Sequence, residues 1–170
     1  LQKARRLEPR NLDVLYYLGR LCEILSQVEY QQLYGLAPDS SRVHQLLAES
    51  YLAQEDKAKA EEEYSAALKA NPQSVEVLVA LGNLKRSQFR FKEAVSYYSK
   101  GAEIAPRNYD CAYGLGAAYL YLQDAQRASE YLRIALSIDP SAAAGRLALG
   151  DALLRLGRLD EAVTELKRAI

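Results

Sequence analysis

A leucine followed by glycine or alanine recurs along the chain at a fixed spacing. The pair occupies five equivalent places, and the last four stand 34 residues apart. All five prolines keep the same period after one shorter interval of 29 residues. A constant period of this length indicates a chain built from equivalent units stacked in a row. The leucines of the pair are Leu18, Leu47, Leu81, Leu115 and Leu149, and the prolines are Pro9, Pro38, Pro72, Pro106 and Pro140.

Each unit is predicted to be a pair of helices. Residues 43–52 place apolar side chains at steps of three and four, which is typical of an amphipathic helix. Asp56 is a good N-cap for a second helix, which carries Ala60 and Ala67 on one face and stops before Pro72. The chain is therefore predicted to be all-α, with two antiparallel helices in every unit.

Small residues recur where two helices would meet. Glycine or alanine after each leucine lets the paired backbones approach closely. Alanine also recurs on the second helix, with tyrosine or leucine four residues later, so large and small side chains alternate as a packed interface requires. The alanines are Ala60, Ala94, Ala128 and Ala162, and the large residues are Tyr64, Tyr98, Leu132 and Leu166.

Residues that cap helices keep the same register. The second residue after four of the prolines is serine or asparagine, which favours the start of a first helix at that point. The fifth place is occupied by Ala142, where only the neighbouring Ser141 could cap, so the start of the last unit is predicted to fray more easily. The four capping residues are Asn11, Ser40, Ser74 and Asn108.

At these residues the chain resembles the tetratricopeptide repeat family. The pattern of that family runs over 34 residues from Leu-Gly or Leu-Ala through an aromatic residue to Ala, a second aromatic residue and Pro. The match covers nearly the whole chain, and it implies an α-solenoid of antiparallel helix pairs wound into a right-handed superhelix. In one unit the matching residues are Leu47, Ala48, Tyr51, Ala60, Tyr64, Ala67 and Pro72.

The period divides residues 1–170 into one array of six pieces. The chain begins with the end of a second helix, continues with a shortened and degenerate repeat and three full repeats, and stops inside a truncated last repeat. The absence of an initial Met is expected for a fragment of a longer polypeptide. The pieces are residues 1–9, 10–39, 40–73, 74–107, 108–141 and 142–170.

The shortened repeat permits two interpretations. Ser26 and Glu29 have the spacing of a capping box, which favours a turn after Leu25 and a second helix directly behind it. The alternative is one long helix over residues 12–36, because this stretch contains no strong helix breaker before Leu33.

Charge and hydropathy exclude several classes of partner. The chain has 22 Lys and Arg against 22 Asp and Glu, so no net field attracts nucleic acid or an anionic lipid surface. No apolar run is long enough to insert into a membrane, and residues 1–7 are too charged for a signal peptide. A targeting segment upstream is not excluded, so the compartment stays open, with the cytoplasm favoured.

The sequence contains no catalytic, metal-binding or cofactor-binding motif. The single histidine, His44, is interpreted as a packing residue. Consecutive acids at 61–63 point in different directions on a helix, which favours a solvated outer face. Cys22 and Cys111 fall in different units and are interpreted as small packing residues rather than a disulfide. No catalysis and no cofactor are therefore expected.

The family resemblance implies where a partner would bind. First helices line the inside of the superhelix, and an extended peptide or a partner helix lies along it. Asn83 stands out because a side-chain amide can donate to and accept from a ligand backbone at once. Tyr16, Tyr113 and Tyr121 fall on or beside the same stripe. Transferred by register, the groove residues are Tyr16, Arg20, Arg42, Gln45, Glu49, Glu76, Val79, Asn83, Arg86, Asp110, Tyr113, Ala117, Leu147 and Asp151.

Two functions are compatible with this pattern. The first is a protein-interaction scaffold that binds a protein or peptide ligand. The alternative is the substrate-recognition arm of a larger enzyme, such as a glycosyltransferase that carries these repeats. The uncapped last repeat also predicts an open apolar face around Leu149, Leu153, Leu166 and Ile170, through which the chain could self-associate.

Overall fold

The computed structural model describes residue 28 and residues 31–169. Residues 31–36 are helical, and eight longer helices follow; the described part contains no strand. The predicted turn after Leu25, the alternative long helix and the expectation for Cys22 lie wholly or mainly outside the described residues. The helices are α1 (Ser41–Ala53), α2 (Lys57–Ala70), α3 (Val75–Ser87), α4 (Phe91–Ile104), α5 (Tyr109–Tyr121), α6 (Ala125–Ile138), α7 (Ala143–Arg155) and α8 (Leu159–Lys167).

The helices stack in chain order. Each helix packs against the next one along the chain, and the longer-range contacts join α3 to α5 and α5 to α7. Odd-numbered helices are thus the first helices of successive pairs, and they lie side by side. This arrangement confirms the predicted all-α solenoid, in which each pair contacts only its neighbours.

Side-chain caps begin three first helices as expected, and the fourth predicted cap, Asn11, lies outside the described residues. Oγ of Ser40 and Oγ of Ser74 accept from the backbone N–H three residues later, at 3.3 and 3.4 Å. Oδ1 of Asn108 does the same at 2.9 Å, and Ala142 provides no side-chain cap for α7. Asp56 caps α2 through the backbone N–H of Lys59. Each cap satisfies one of the unpaired N–H groups of a helix start.

The turn inside each helix pair has one residue with a left-handed backbone. This residue recurs every 34 positions and has a φ of 62°, 61°, 61° or 73°. Only the last of the four is glycine, which adopts such a φ without strain, whereas a side chain there costs about 1–2 kcal/mol. Three of the four turns therefore retain strain. The residues are Glu55, Phe89, Gln123 and Gly157.

Exchanging residues at these turns is expected to change stability in opposite directions. Gly157→Ala should lower the free energy of unfolding by about 1 kcal/mol, because alanine is strained at this φ. Glu55→Gly should raise it by up to about 1 kcal/mol, because Glu55 is exposed and the strain is relieved. Urea unfolding of both variants measures the two changes. If both variants raised, or both lowered, the free energy of unfolding, this explanation of the turns would be wrong.

Tyr98, in the pair formed by α3 and α4, occupies space that two glycines leave free. The side chain of Tyr98 is fully buried, and a Cβ added at Gly82 or at Gly114 would lie 2.5 Å from its Cε1. Gly82 belongs to the same helix pair as Tyr98, whereas Gly114 belongs to the next one. The ring therefore joins two units. Tyr64 and Tyr119 are also buried.

The prediction of an open apolar face at the end of the array is wrong for Leu149 and Leu153. Leu149 is 2% exposed and Leu153 is fully buried, because α8 and the preceding helices cover them. Ile170 lies outside the described residues. The apolar side chains that do reach solvent here are Leu154, Leu159 and Val163.

The acidic run at 61–63 is solvated only in part. Glu62 is exposed as expected, but Glu61 on α2 forms ion pairs with Lys85 of α3 and with Arg90, Oε2 of Glu61 lying 3.2 Å from Nη1 of Arg90. Lys85 is 1% exposed, and its Nζ also lies 3.8 Å from Oε2 of Glu93. These charges therefore connect two helix pairs.

Candidate peptide-binding face

The predicted groove residues that the structure describes all lie on the first helices α1, α3, α5 and α7. We call the surface that they define the inner face. Tyr16 and Arg20 lie outside the described residues. The members of the inner face are Arg42, Gln45, Glu49, Glu76, Val79, Asn83, Arg86, Asp110, Tyr113, Ala117, Leu147 and Asp151.

The members of the inner face differ in how much side chain they present to solvent. Ala117 is 6% exposed, so it contributes almost no surface of its own. Exposed side chains on the inner face are Arg42, Glu49, Glu76, Asn83, Asp110 and Leu147, and partly buried ones are Gln45, Val79, Arg86, Tyr113 and Asp151.

Polar side chains on α1 bond to one another. Nη1 of Arg42 donates to Oε1 of Gln45 at 3.2 Å, and Nε2 of Gln45 donates to Oε1 of Glu49 at 3.1 Å. At the start of α3, the hydroxyl of Ser74 donates to the Glu76 carboxylate at 3.0 Å. The backbone amide of Glu76 and this hydroxyl lower the pKa of Glu76. A ligand could replace the two exposed bonds on α1 with little loss of stability, since such surface contacts contribute little.

Asn83 is held by a residue that the repeat pattern does not connect with it. The hydroxyl of Tyr98 donates to Oδ1 of Asn83 at 2.7 Å, and Nη2 of Arg86 donates to the same oxygen at 3.5 Å. Burial raises the pKa of Tyr98, so the phenol stays a donor at neutral pH. The amide oxygen is therefore already used. In the described part of the chain Nδ2 of Asn83 has no partner, so Asn83 offers a ligand two N–H donors.

Arg86 carries a charge without an acidic partner. Its side chain is partly buried, its Nε is buried without a hydrogen bond, and no carboxylate of the described residues lies within 4 Å of it. The neighbouring groups that it contacts, Asn83 and Tyr98, are neutral. Asp151 differs, because Arg155 on the same helix neutralises it at 3.0 Å.

Aromatic rings stack on and beside the inner face. Tyr113 lies against Tyr109 with ring centroids 5.7 Å apart and an interplanar angle of 7°. At the edge, Tyr121 is 58% exposed and stacks on Phe91 at 4.5 Å. Phe89, which is 79% exposed, packs edge-on against Phe91 at 6.1 Å. The repeat pattern gave no indication of this exposed cluster of Phe89, Phe91 and Tyr121, because the three residues belong to two different units.

The described residues give little support to catalytic chemistry. They contain no group of three His, Cys, Asp or Glu side chains placed to hold a metal ion. Cys111 is fully buried, and burial raises the pKa of its thiol to about 11, so it is a packing residue and not a nucleophile at neutral pH. His44 is half-buried, and its Nδ1 lies 2.7 Å from Oε2 of Glu63. This pair joins α1 to α2.

The whole chain matches one family of sequences. A model of the family described as "Tetratricopeptide repeat" matches residues 2–170. Among curated proteins, the chain is 32% identical over 128 residues to the CTR9 homolog of Arabidopsis thaliana, and 32% identical over 117 residues to the BBSome complex member BBS4 of Bos taurus. Each match covers 69% of this chain but only 11% and 22% of those proteins.

Solved structures share the fold at low sequence identity. PilF of Pseudomonas aeruginosa has a TM-score of 0.78 at 22% identity, over 99% of this chain and 76% of that one. MamA has a TM-score of 0.74 at 21% identity, over 82% of both chains. YrrB, described as a TPR protein with an unusual peptide-binding site, has a TM-score of 0.73 at 21% identity, over 82% of this chain and 72% of its own. None of the helices in the described part combines the length and apolarity that crossing a bilayer requires.

Proposed function

Since the chain belongs to the tetratricopeptide repeat family, we propose that it is a protein-interaction scaffold that holds a peptide or a partner helix against the inner face. The observation that carries the proposal is that some polar groups of the inner face have no hydrogen-bond partner within the described part of the chain. In the described part of the chain Nδ2 of Asn83 and Nε of Arg86 lack partners, and Tyr113 presents a partly buried ring on the adjacent first helix α5. Free donors beside an aromatic ring suit a ligand backbone and its side chains.

Some charged side chains on and beside the second helices are already bonded within the chain. Nη2 of Arg133 on α6 donates to Oε2 of Glu161 on α8 at 2.8 Å, and Arg90 is bonded to Glu61 and Glu93. These ion pairs connect successive units. They set the stacking of the helices, whereas the free donors of α3 have no such role within the chain.

Two relatives agree with binding to other proteins. BBS4 is named as a member of a complex, and YrrB is described as having a peptide-binding site. The chain spans only about a tenth to a fifth of the length of its curated relatives. What those whole proteins assemble with is therefore not transferred to it.

We propose no catalysis for these residues themselves. The alternative, a substrate-recognition arm of a larger enzyme, would use the same inner face and stays a prediction. The sequence of the natural protein before Leu1 and after Ile170 discriminates between the two, because the enzyme requires a catalytic domain there. Self-association through the last helix pair also stays a prediction, and it is favoured by the exposure of Leu159 at 61% and of Val163 at 48%.

A peptide-display selection tests the placement of the ligand. Peptides of 12 residues selected on the protein should bind Asn83→Ala and Tyr113→Ala about tenfold more weakly each, because a lost hydrogen bond or ring contact is worth about 1–1.5 kcal/mol. Fluorescence anisotropy measures the affinities. Lys100→Ala on the exposed side of α4 is the control and should bind normally. Selected peptides that are indifferent to both inner-face changes would place the ligand elsewhere.

A further inference from the structure

Arg86 differs from the other arginines of the described part. Seven of the ten have a carboxylate within 4 Å: Arg90, Arg127, Arg133, Arg146, Arg155, Arg158 and Arg168. The remaining three are Arg42, Arg86 and Arg107, and two of these are exposed to solvent. Arg86 is thus the one partly buried arginine in this part of the chain whose charge has no acidic partner.

Burial makes this unpaired charge unfavourable in the free protein. A guanidinium has five N–H donors, and those of Arg86 have only the oxygens of Asn83 and Tyr98 as partners, with Nε buried and unbonded. A buried donor without a partner is destabilising, because it has lost its hydrogen bonds to water. A carboxylate brought by a ligand would supply the missing negative charge and accept from the terminal N–H groups of the guanidinium.

The donors and acids around Arg86 are placed so that an anion can bind to it. Nδ2 of Asn83 is a free donor on the same helix, and its carbonyl already faces Arg86. Glu76, on the same helix, lies ten residues away, which corresponds to about 15 Å. That distance exceeds the Debye length of about 8 Å at physiological salt, so Glu76 repels an anion at Arg86 only weakly. Glu49 on α1 is bonded to Gln45 and lies more than 4 Å from Arg86.

The position of α3 in the array indicates which kind of carboxylate fits. α1 precedes α3 on the inner face, and α5 and α7 follow it. A ligand that lies along this face therefore continues past Arg86 in both directions. An internal side chain can occupy such a place without ending the ligand chain.

We propose that Arg86, assisted by the amide of Asn83, binds the carboxylate of an internal Asp or Glu of the ligand peptide. This inference rests on the proposed function and adds the chemical class of the ligand. Arg86 is then the residue that selects acidic ligands, and Tyr113 contributes contact area beside it.

The test uses the 12-residue peptides selected by display, resynthesised with acetylated and amidated ends. We expect each peptide to contain an internal acid whose replacement by the corresponding amide weakens binding about 10- to 100-fold, the worth of a charge-assisted pair. Arg86→Gln should cause the same loss, and the two changes together should cause no further loss. Arg107→Gln removes an exposed, unpaired arginine and is the matched control. Circular dichroism of Arg86→Gln checks that the helices are retained, and Arg86→Lys should bind with intermediate affinity.

Three outcomes would overturn the inference. Peptides that respond to Tyr113→Ala but not to Arg86→Gln would leave the proposed function standing and remove the acidic preference. Peptides that bind only with a free C-terminal carboxylate would replace the internal side chain by a chain end. Peptides indifferent to Tyr113→Ala, Asn83→Ala and Arg86→Gln would overturn both the proposed function and this inference.

Discussion

Replacing Tyr98 by alanine is expected to lower the free energy of unfolding by about 3–5 kcal/mol, as for other large buried aromatic residues. The ring is fully buried between Gly82 and Gly114, and its hydroxyl donates to Asn83 at 2.7 Å. Alanine would leave a cavity between two helix pairs. Urea unfolding followed by circular dichroism at 222 nm measures the loss.

The two glycines provide a coupling test of the same contact. Gly82→Ala or Gly114→Ala should destabilise the protein by about 1–3 kcal/mol, because the new Cβ would lie 2.5 Å from the ring and must displace it. Most of that loss should disappear when Tyr98 is already alanine. Gly35→Ala is the control, since a Cβ there meets nothing within 4 Å. Additive effects of Tyr98→Ala and Gly114→Ala would show that the ring does not need this space.

Changing the two partners of the buried ion pair is expected to have unequal effects. Glu61→Gln should destabilise the protein by about 3 kcal/mol, because Lys85 is 1% exposed and would keep only Glu93, at 3.8 Å, as an acidic partner. Lys85→Met should change stability by less than about 1 kcal/mol, since methionine fills a similar volume and Glu61 keeps Arg90 and partial access to water. Urea unfolding of the two variants measures the difference.

The double variant separates charge from packing. Glu61→Gln combined with Lys85→Met should recover most of the stability that Glu61→Gln loses, because no cation is then left buried. Glu62→Gln, one residue along on the exposed side of α2, is the matched control and should have no measurable effect. If Lys85→Met proves as harmful as Glu61→Gln, the packing of the lysine stem outweighs its charge.

The local parts of the fold were predictable because they depend on residues close in sequence. A cap such as Ser74 needs only the N–H three residues ahead, and the helix breaker at Pro72 acts on its own turn. The buried alanines follow the same period, and Ala60, Ala94, Ala128 and Ala162 are all fully buried. The number of residues per unit and the large-to-small alternation were therefore readable without any structure.

The candidate site was predictable only in outline. Register placed Asn83 and Arg86 together on a first helix, but it could not show that Tyr98, fifteen residues away, uses the amide oxygen of Asn83. It also could not show that none of the described carboxylates on neighbouring helices pairs with Arg86. Both facts depend on side-chain directions across a helix interface, which a repeat pattern leaves open.

The sequence by itself determined the helix pairs, their caps, their period and the tetratricopeptide family, because propensity, periodicity and capping are local. Tertiary structure alone decided which charges are paired between units. Lys85 and Glu61 meet only when two units stack, and Leu149 and Leu153 are buried because α8 and the preceding helices cover them. The physical reason is that the environment of a side chain depends on neighbours from another unit, and on the angle at which that unit packs.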